Sequence, residues 1–226
     1  LMYLDLGFVE KIGRGAFNGC ASLQRFFVAD GNSYFFTDSR GALYADLTGS
    51  STAVVAYPAG NASSEYTTYS GTVAIYDYAF YGAVFLEKLS YLTTLVEIGD
   101  YAFSGAERLS IVCYSNVAGG LSAGTADFEQ SQSRVESIGD HAFNGTALSV
   151  FRFGKIRYLG TGAVSWDGIK DTVVYLNVSS VVKTAGTPVI LPETASATLK
   201  IVVGTKLYDY LACEDFAYLK DYLYSR

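Results

Sequence analysis

Apolar residues along this chain recur as a phrase rather than at an even interval. Ile-Gly-x-x-Ala-Phe-x-Gly reads IGRGAFNG at 12–19, IYDYAFYG at 75–82, IGDYAFSG at 98–105 and IGDHAFNG at 138–145. In the second copy Tyr76 stands where the others have Gly. A worn fifth copy, LGTGAVSWDG, spans 159–168, with Val164 in the Phe place. The Phe positions 17, 80, 103 and 143, with Val164 fifth, are separated by 63, 23, 40 and 21 residues. Two of these intervals fit a repeat of 20–29 residues. The other two leave room for one insertion each, roughly within 29–70 and 115–132.

A second apolar phrase follows each Phe. Leu23, Leu86 and Leu109 lie six residues beyond their Phe, and Leu148 five. From each Leu the pattern L-x-x-φ-x-φ continues: Leu23, Phe26, Val28; Leu86, Leu89, Tyr91; Leu109, Val112, Tyr114; Leu148, Phe151, Phe153. This is the strand signature of a leucine-rich repeat. A unit of 23 residues cannot bury its own apolar face, so the units must stack into a solenoid. The Phe of each Ala-Phe is expected to stack on the Phe of the next repeat, and the Gly after it supplies a tight turn. Side chains alternate along a strand. Phe27, Ser90, Cys113 and Arg152, between the last two apolar positions, are therefore expected to project outward as a protein-binding face.

Composition and charge narrow the function. Half of the 226 residues are hydrophobic and 15% aromatic, including 19 Tyr and 14 Phe, whereas only 17% are charged. Solubility then rests on Ser, Thr, Asn, Gly and phenol hydroxyls. The formal net charge of −6 and the absence of a Lys/Arg run exclude a basic nucleic-acid face and argue against docking on anionic lipid. Cys20, Cys113 and Cys213 are odd in number and far apart, which fits neither a zinc pattern nor a disulfide framework. They read as small buried hydrophobes. No apolar run is long enough for a membrane-spanning helix. The chain opens at Leu1 already within repeat-like sequence, as a piece of a longer protein would, so a missing export signal is uninformative.

Catalytic chemistry finds little to work with. His141 is the sole histidine, and it follows Asp140. It occupies the repeat slot of Gly15, Tyr78 and Tyr101, which marks a partly exposed structural position rather than half of a catalytic pair. No G-x-S-x-G elbow, phosphate loop or dinucleotide glycine motif occurs. Zinc would need more His or paired Cys. The Asp-containing loops at 30–38 and 165–171 lack the calcium-loop pattern and read as turns. Scattered carboxylates on a solenoid will form close pairs by chance, so a glycosidase reading has no support of its own. No cofactor or metal is expected. Trp166 and the exposed tyrosines offer a sugar-stacking alternative. The sequons at Asn61, Asn144 and Asn177 matter only in a eukaryotic secretory pathway.

The stretches VEKIGRGAFNGCASL (9–23), LVEIGDYAFSGAERL (95–109) and VESIGDHAFNGTAL (135–148) resemble the BspA-like leucine-rich-repeat family, also described from treponemal surface proteins. Cys20 stands in that family's Cys slot, taken elsewhere by Ala83, Ala106 and Thr146; the family's Ile-Pro after the strand is missing. Residues 31–60 resemble an inserted hairpin of such proteins: FFT, a turn at Asp38–Gly41, ALYAD, a second turn, then TAVVAYP. Residues 199–226 resemble their closing strand and helix, with Phe216, Leu219 and Leu223 on one helical face.

Together these readings predict a leucine-rich-repeat solenoid of about five repeats over 1–195, mostly strand with short turn or helical segments. A hairpin insertion and a C-terminal helical cap at 196–226 complete the same domain. The resemblance implies a secreted or cell-surface protein, often of host-associated bacteria. Its expected role is non-catalytic: recognition of, or adhesion to, a protein partner on host or other cells. A glycan partner and a structural spacer are the alternatives.

Overall fold

The computed structural model describes residues 1–114, 128–129, 134–148, 150–153, 155–166, 172–176, 183–184, 190–192 and 199–225. Among them the chain winds into a β-solenoid of about seven turns with little helix. Most of these turns contribute one short strand to each of two sheets. The front sheet runs Glu65–Thr67, Lys88–Tyr91, Ile111–Tyr114, Phe128–Glu129, Val150–Phe153, Thr172–Leu176, Leu199–Val202 and Leu223–Tyr224, all parallel. The back sheet runs Phe35–Thr37, Leu43–Asp46, Thr52–Ala56, Thr72–Ile75, Glu97–Ile98, Ser137–Ile138, Tyr158–Leu159 and Lys183–Thr184.

The predicted strand pattern decides the register. Tyr66, Leu89, Val112, Phe128, Phe151, Val174, Ile201 and Leu223 are paired in one row of the front sheet. Opposite them Ile75, Ile98, Ile138 and Leu159 form one row of the back sheet. Both rows are buried wherever their side chains are described. A strand of two to five residues has no stability alone; the core exists only because each turn covers its neighbours.

The phenylalanine stack forms as expected in the middle of the array. Phe80 and Phe103 lie 5.2 Å apart at 22°, and Phe103 and Phe143 5.3 Å apart at 5°. Phe17 does not join them. It packs edge-on against Phe26 at 4.7 Å, while Tyr57 stacks beneath Phe80 at 5.2 Å. An additional turn therefore stands between the first two copies of the phrase. It comprises Thr52–Ala56, a short loop through Tyr57-Pro58, and Glu65–Thr67. The phrase count missed it because its loop carries no Ala-Phe.

The hairpin is present as the sequence predicts. Phe35–Thr37, Leu43–Asp46 and Thr52–Ala56 pair antiparallel, and the last also pairs parallel with Thr72–Ile75. Asp38 shapes its first turn: Oδ1 accepts from the backbone N–H groups of Arg40 (3.0 Å) and Ala42 (2.9 Å). Its other oxygen accepts from the Tyr66 hydroxyl at 2.7 Å. Tyr66 thus spends its proton on Asp38, so Tyr44, 2.6 Å away, must donate to Tyr66. Tyr44 in turn accepts from the Tyr69 N–H at 2.9 Å. The result is a polarised relay inside an apolar core.

Burial pushes the Tyr44 phenol up to about 12 and the Tyr57 phenol up to about 12, and raises Tyr66 further in the same direction. An unfolded tyrosine ionises near pH 10. Their contribution to stability is therefore complete below about pH 10 and is lost as pH rises toward and past 12. Denaturation midpoints followed from pH 8 to 12 are expected to hold and then fall steeply above pH 10. Tyr66→Phe is expected to flatten part of that fall; an unchanged pH profile in this variant would remove the relay as its cause.

The C-terminal cap differs in detail from expectation. A short helix, Leu207–Leu211, and a 3₁₀ run, Glu214–Tyr222, lead into Leu223–Tyr224. Phe216 is buried and meets Tyr210 edge-on at 4.9 Å. Leu223 is not on a helical face: it pairs with Ile201 as the last strand of the front sheet, satisfying backbone groups that the sheet edge would otherwise expose. The side chain of Leu219 and most of the 115–132 insertion lie outside the described residues; from the insertion, Phe128–Glu129 forms a front-sheet strand.

Candidate functional site

The repeated phrase builds a loop whose backbone is fixed from within. In the third turn Ala79, Tyr81 and Ala83 donate their N–H groups to the carbonyls of Tyr76, Tyr78 and Phe80. That leaves alternate groups directed at the next turn. Tyr78 N–H donates to Asp100 O, Phe80 to Ala102 and Gly82 to Ser104. The pattern repeats one turn on, with Tyr101 to Asp140, Phe103 to Ala142 and Gly105 to Asn144. The loops thus form a third hydrogen-bonded ladder joining the two sheets.

Two positions of the phrase follow from this ladder. Tyr78, Tyr101 and His141 have φ of 61°, 53° and 50°, and Gly15 in the same slot has 65°. A non-glycine residue there carries strain. The rings recover contact by stacking: Tyr78 on Tyr101 at 5.1 Å and 4°, Tyr101 on His141 at 5.1 Å and 24°. His141 is therefore a rung of a half-buried ring ladder. Below it, Asp77 Oδ1 accepts from the N–H of Asp100, Asp100 from Asp140, and Asp140 from Thr161, each at 2.7 Å. Asp140 is thereby committed to the backbone of the following turn.

The first turn repeats the loop but not its partner. Ala16, Asn18 and Cys20 donate to Gly13, Gly15 and Phe17, the same internal bonds as in the third turn. The second turn, however, has only the short Tyr57–Pro58 loop, which stays low. A cleft of about 230 Å³ remains between the loop of the first turn and that of the third. Its floor is Val55, Ala56, Tyr57 and Ala59; Ile12, Phe17 and Cys20 line one wall, and Tyr76, Ala79 and Tyr81 the other. Arg14, in the slot that holds Asp elsewhere, spans the cleft. Its Nε lies 2.9 Å from Asp77 Oδ2 and its Nη2 bonds Asp100. The Asp100 hydrogen bond raises the guanidinium pKa further above its ordinary value. The guanidinium also sits 5.7 Å from the Tyr78 ring centre. These pairs are exposed, so Arg14→Ala is expected to change stability by less than about 1 kcal/mol in a denaturation titration.

Next to the cleft the surface is apolar. Tyr76, Tyr81, Val84 and Phe85, on one loop, are 41%, 39%, 37% and 41% exposed. Composition had flagged tyrosine in general, but not these positions. The local signals were Tyr76 in a glycine slot, Arg14 in an aspartate slot, and the interval of 63 residues.

The predicted strand face does not form a continuous exposed ladder. Phe27 is 43% exposed, but it pairs only with Asp5 in a separate two-stranded sheet. Ser90 and Cys113 share one register row, as expected, and lie 3.9 Å apart through Oγ and Sγ. Both are nearly closed to solvent, at 5% and 8%. Their small side chains sit at the bottom of the sheet surface and cannot lead a contact. Burial also raises the Cys113 thiol pKa, which disfavours a reactive thiolate. Arg152 is on the Val150–Phe153 strand in register with Tyr175; its side chain, like that of Trp166, is outside the described set. Among the described residues no three His, Cys, Asp or Glu side chains converge as a metal group, and no helix is long and apolar enough to cross a membrane.

Comparison with known proteins agrees with the repeat reading. The family described as BspA type leucine rich repeat region matches residues 73–153 in six copies. No curated protein matches. A leucine rich cell surface protein of Faecalibacterium prausnitzii is similar in structure, with a TM-score of 0.61 and 17% identity over 88% of this chain and 51% of that one. The pneumococcal vaccine antigen PcpA is similar with a TM-score of 0.59 and 22% identity over 100% of this chain and 54% of that one. The chain thus spans about half the length of these solved structures, and the likeness is one of fold.

Proposed function

We propose that this chain, whose residues 73–153 match the BspA type of leucine-rich repeat, is a non-catalytic recognition module of a bacterial cell surface that binds a protein partner. The observation that carries the proposal is the apolar loop of the third turn. Tyr76, Tyr81, Val84 and Phe85 stand in solvent together on one loop beside a cleft. Exposed aromatic clusters of this kind mark interaction sites. Tyrosine and phenylalanine anchor protein interfaces because they bury much area with few rotatable bonds. The description of one similar structure as a leucine rich cell surface protein supports the location. Host adhesion is the role within this reading that a surface repeat protein would serve.

A glycan would need free ring faces. Beside the cleft Tyr78, Tyr101 and His141 cover one another's faces, which leaves Tyr76 and Tyr81 there for a sugar. The protein reading is therefore preferred. The test is a binding screen of the purified chain against extracellular-matrix proteins and a glycan array at physiological salt. Saturable protein binding that falls at least about tenfold in Tyr81→Ala/Phe85→Ala is the expected result. Glycan binding alone, or protein binding indifferent to the double substitution, would overturn the assignment.

A further inference from the structure

We infer that a second recess, over the turn of the hairpin, is an oxyanion site that receives a carboxylate side chain of the protein partner. The inference rests on the protein-recognition reading and names the chemistry the partner carries beside its apolar anchor.

The hairpin turn lies between Arg25–Phe27 and Glu65–Thr67. On one side Gly41 O accepts from the Phe26 N–H at 3.0 Å, and on the other the Arg40 guanidinium donates to Glu65 O at 2.6 Å. An open recess of about 570 Å³ remains there, lined by Arg25, Ser39, Arg40, Asn61, Ser63 and Ser64. Both guanidiniums are held in place by the protein itself. Arg25 Nη2 donates to Ser39 O at 2.6 Å and its head sits 5.9 Å from the Phe27 ring centre. Its stem lies so close over Gly41 that a β-carbon there would be 2.5 Å from Arg25 Cγ. Arg40, tied to Glu65 O, sits 6.0 Å from the Tyr66 ring centre. A guanidinium carries more donors than one carbonyl can use, and among the described residues the remaining donors of both have no acceptor.

Charge is left over as well. Arg14, Arg108 and Arg157 each face a carboxylate, whereas among the described residues Arg25 and Arg40 face none. The acids nearby are engaged elsewhere. Asp38 accepts from two backbone N–H groups and the Tyr66 hydroxyl, Glu65, which also borders the recess, lies 3.7 Å from Lys88, and Glu87 pairs with Arg108. In a chain of net charge −6, two fixed, unpaired arginines lining one recess reverse the local sign. The hydroxyls of Ser39, Ser63 and Ser64 likewise have no partner among the described residues. Such a lining suits a carboxylate, which accepts two parallel N–H bonds from one guanidinium. Among the described residues no aromatic ring lines the recess, so a sugar ring finds nothing to stack on and an acidic side chain is favoured over an acidic saccharide. The recess also adjoins the apolar loop: Ser64 O accepts from the N–H groups of Glu87 and Lys88 at 2.8 and 2.9 Å, just beyond Phe85. One partner segment thus seats an apolar anchor on that loop and an acid in the recess.

The test titrates the intact chain with N-acetyl-hexaglutamate by calorimetry at low ionic strength, with hexaglutamine and a heparin-derived hexasaccharide in parallel. Hexaglutamate is expected to bind saturably, against the repulsion of like net charges, and to weaken as salt is added. Ser64→Asp sets an acid against the guanidiniums without touching their backbone bonds. It should weaken hexaglutamate, and any protein captured in the matrix screen, at least about tenfold with the far-ultraviolet spectrum unchanged. Arg25→Gln should act alike, and Arg25→Lys should restore only part of the affinity, because lysine lacks the fork. The inference is overturned if hexaglutamate does not bind, if Ser64→Asp is without effect, or if only the saccharide binds. A captured protein indifferent to Ser64→Asp but lost in Tyr81→Ala/Phe85→Ala overturns it too, and leaves the recognition reading standing. A screen without any protein partner, with hexaglutamate still bound at the recess, removes the recognition reading instead and the partner assigned here with it.

Discussion

Phe103→Ala is expected to be the most damaging truncation in this chain, at about 3–5 kcal/mol. Phe103 is fully buried and has a ring on each side, Phe80 at 5.2 Å and Phe143 at 5.3 Å. Its backbone N–H also donates to Ala142 at 2.8 Å, so the loop that carries it is held on both sides. Neither neighbour can move into the void without breaking its own turn, and the cavity stays. In a solenoid each turn contacts only its neighbours, so the loss lies at one interface in mid-array. Unfolding in guanidinium is therefore expected to lose cooperativity as well as shift its midpoint. Phe17→Ala is the internal control. Phe17 is half-buried, touches one ring edge-on and borders an open cleft. Its cost should be clearly smaller. Equal costs for the two would mean that the ring stack is not what holds the turns in register.

Much of this architecture was legible because the phrase encodes contacts that recur. Ile98 and Ile138, Phe103 and Phe143, and Leu109 with Val112 are buried where the repeat predicts. Each position is set by the same neighbour one turn away, so periodicity carries the information. What periodicity could not show is a turn that uses different residues for the same work. Tyr57 replaces a phenylalanine, and Tyr57-Pro58 replaces a long loop. The chain from Thr52 to Thr67 therefore looks like an insertion in sequence while completing both sheets in space. The candidate strand face is not an open ladder for a related reason. Alternation along a strand says which way Ser90 and Cys113 point, and they do share the expected row. It does not say whether a small side chain reaches solvent, and at 5% and 8% exposure these do not. The cleft was written in the departures from the phrase, at Arg14 and Tyr76, rather than in the phrase itself.

That last point has a direct test in the glycine that opens the phrase, where the same substitution should have opposite effects in two repeats. A β-carbon on Gly139 would lie 2.6 Å from the backbone nitrogen of Asp100 and 2.7 Å from the carbonyl carbon of Gly99. The preceding loop is packed directly against it and cannot yield, because Asp100 also caps the Asp140 N–H at 2.7 Å. Gly139→Ala should therefore force the two turns apart, at about 3 kcal/mol or somewhat more. Gly13 occupies the same slot in the first turn, where a β-carbon meets nothing within 4 Å and φ lies outside the left-handed region. Gly13→Ala should be neutral or stabilise by up to about 1 kcal/mol through the unfolded chain. Paired thermal and denaturant unfolding of the two variants decides the matter. If both are destabilised alike, the glycine answers to something other than the preceding aspartate loop. Tyr76 would then no longer be explained by the absence of that loop, and the cleft would lose its structural origin. If they diverge as expected, Tyr76 fits in a glycine slot because no aspartate loop lies beneath it, and the cleft between the loops of the first and third turns is a built feature of the solenoid.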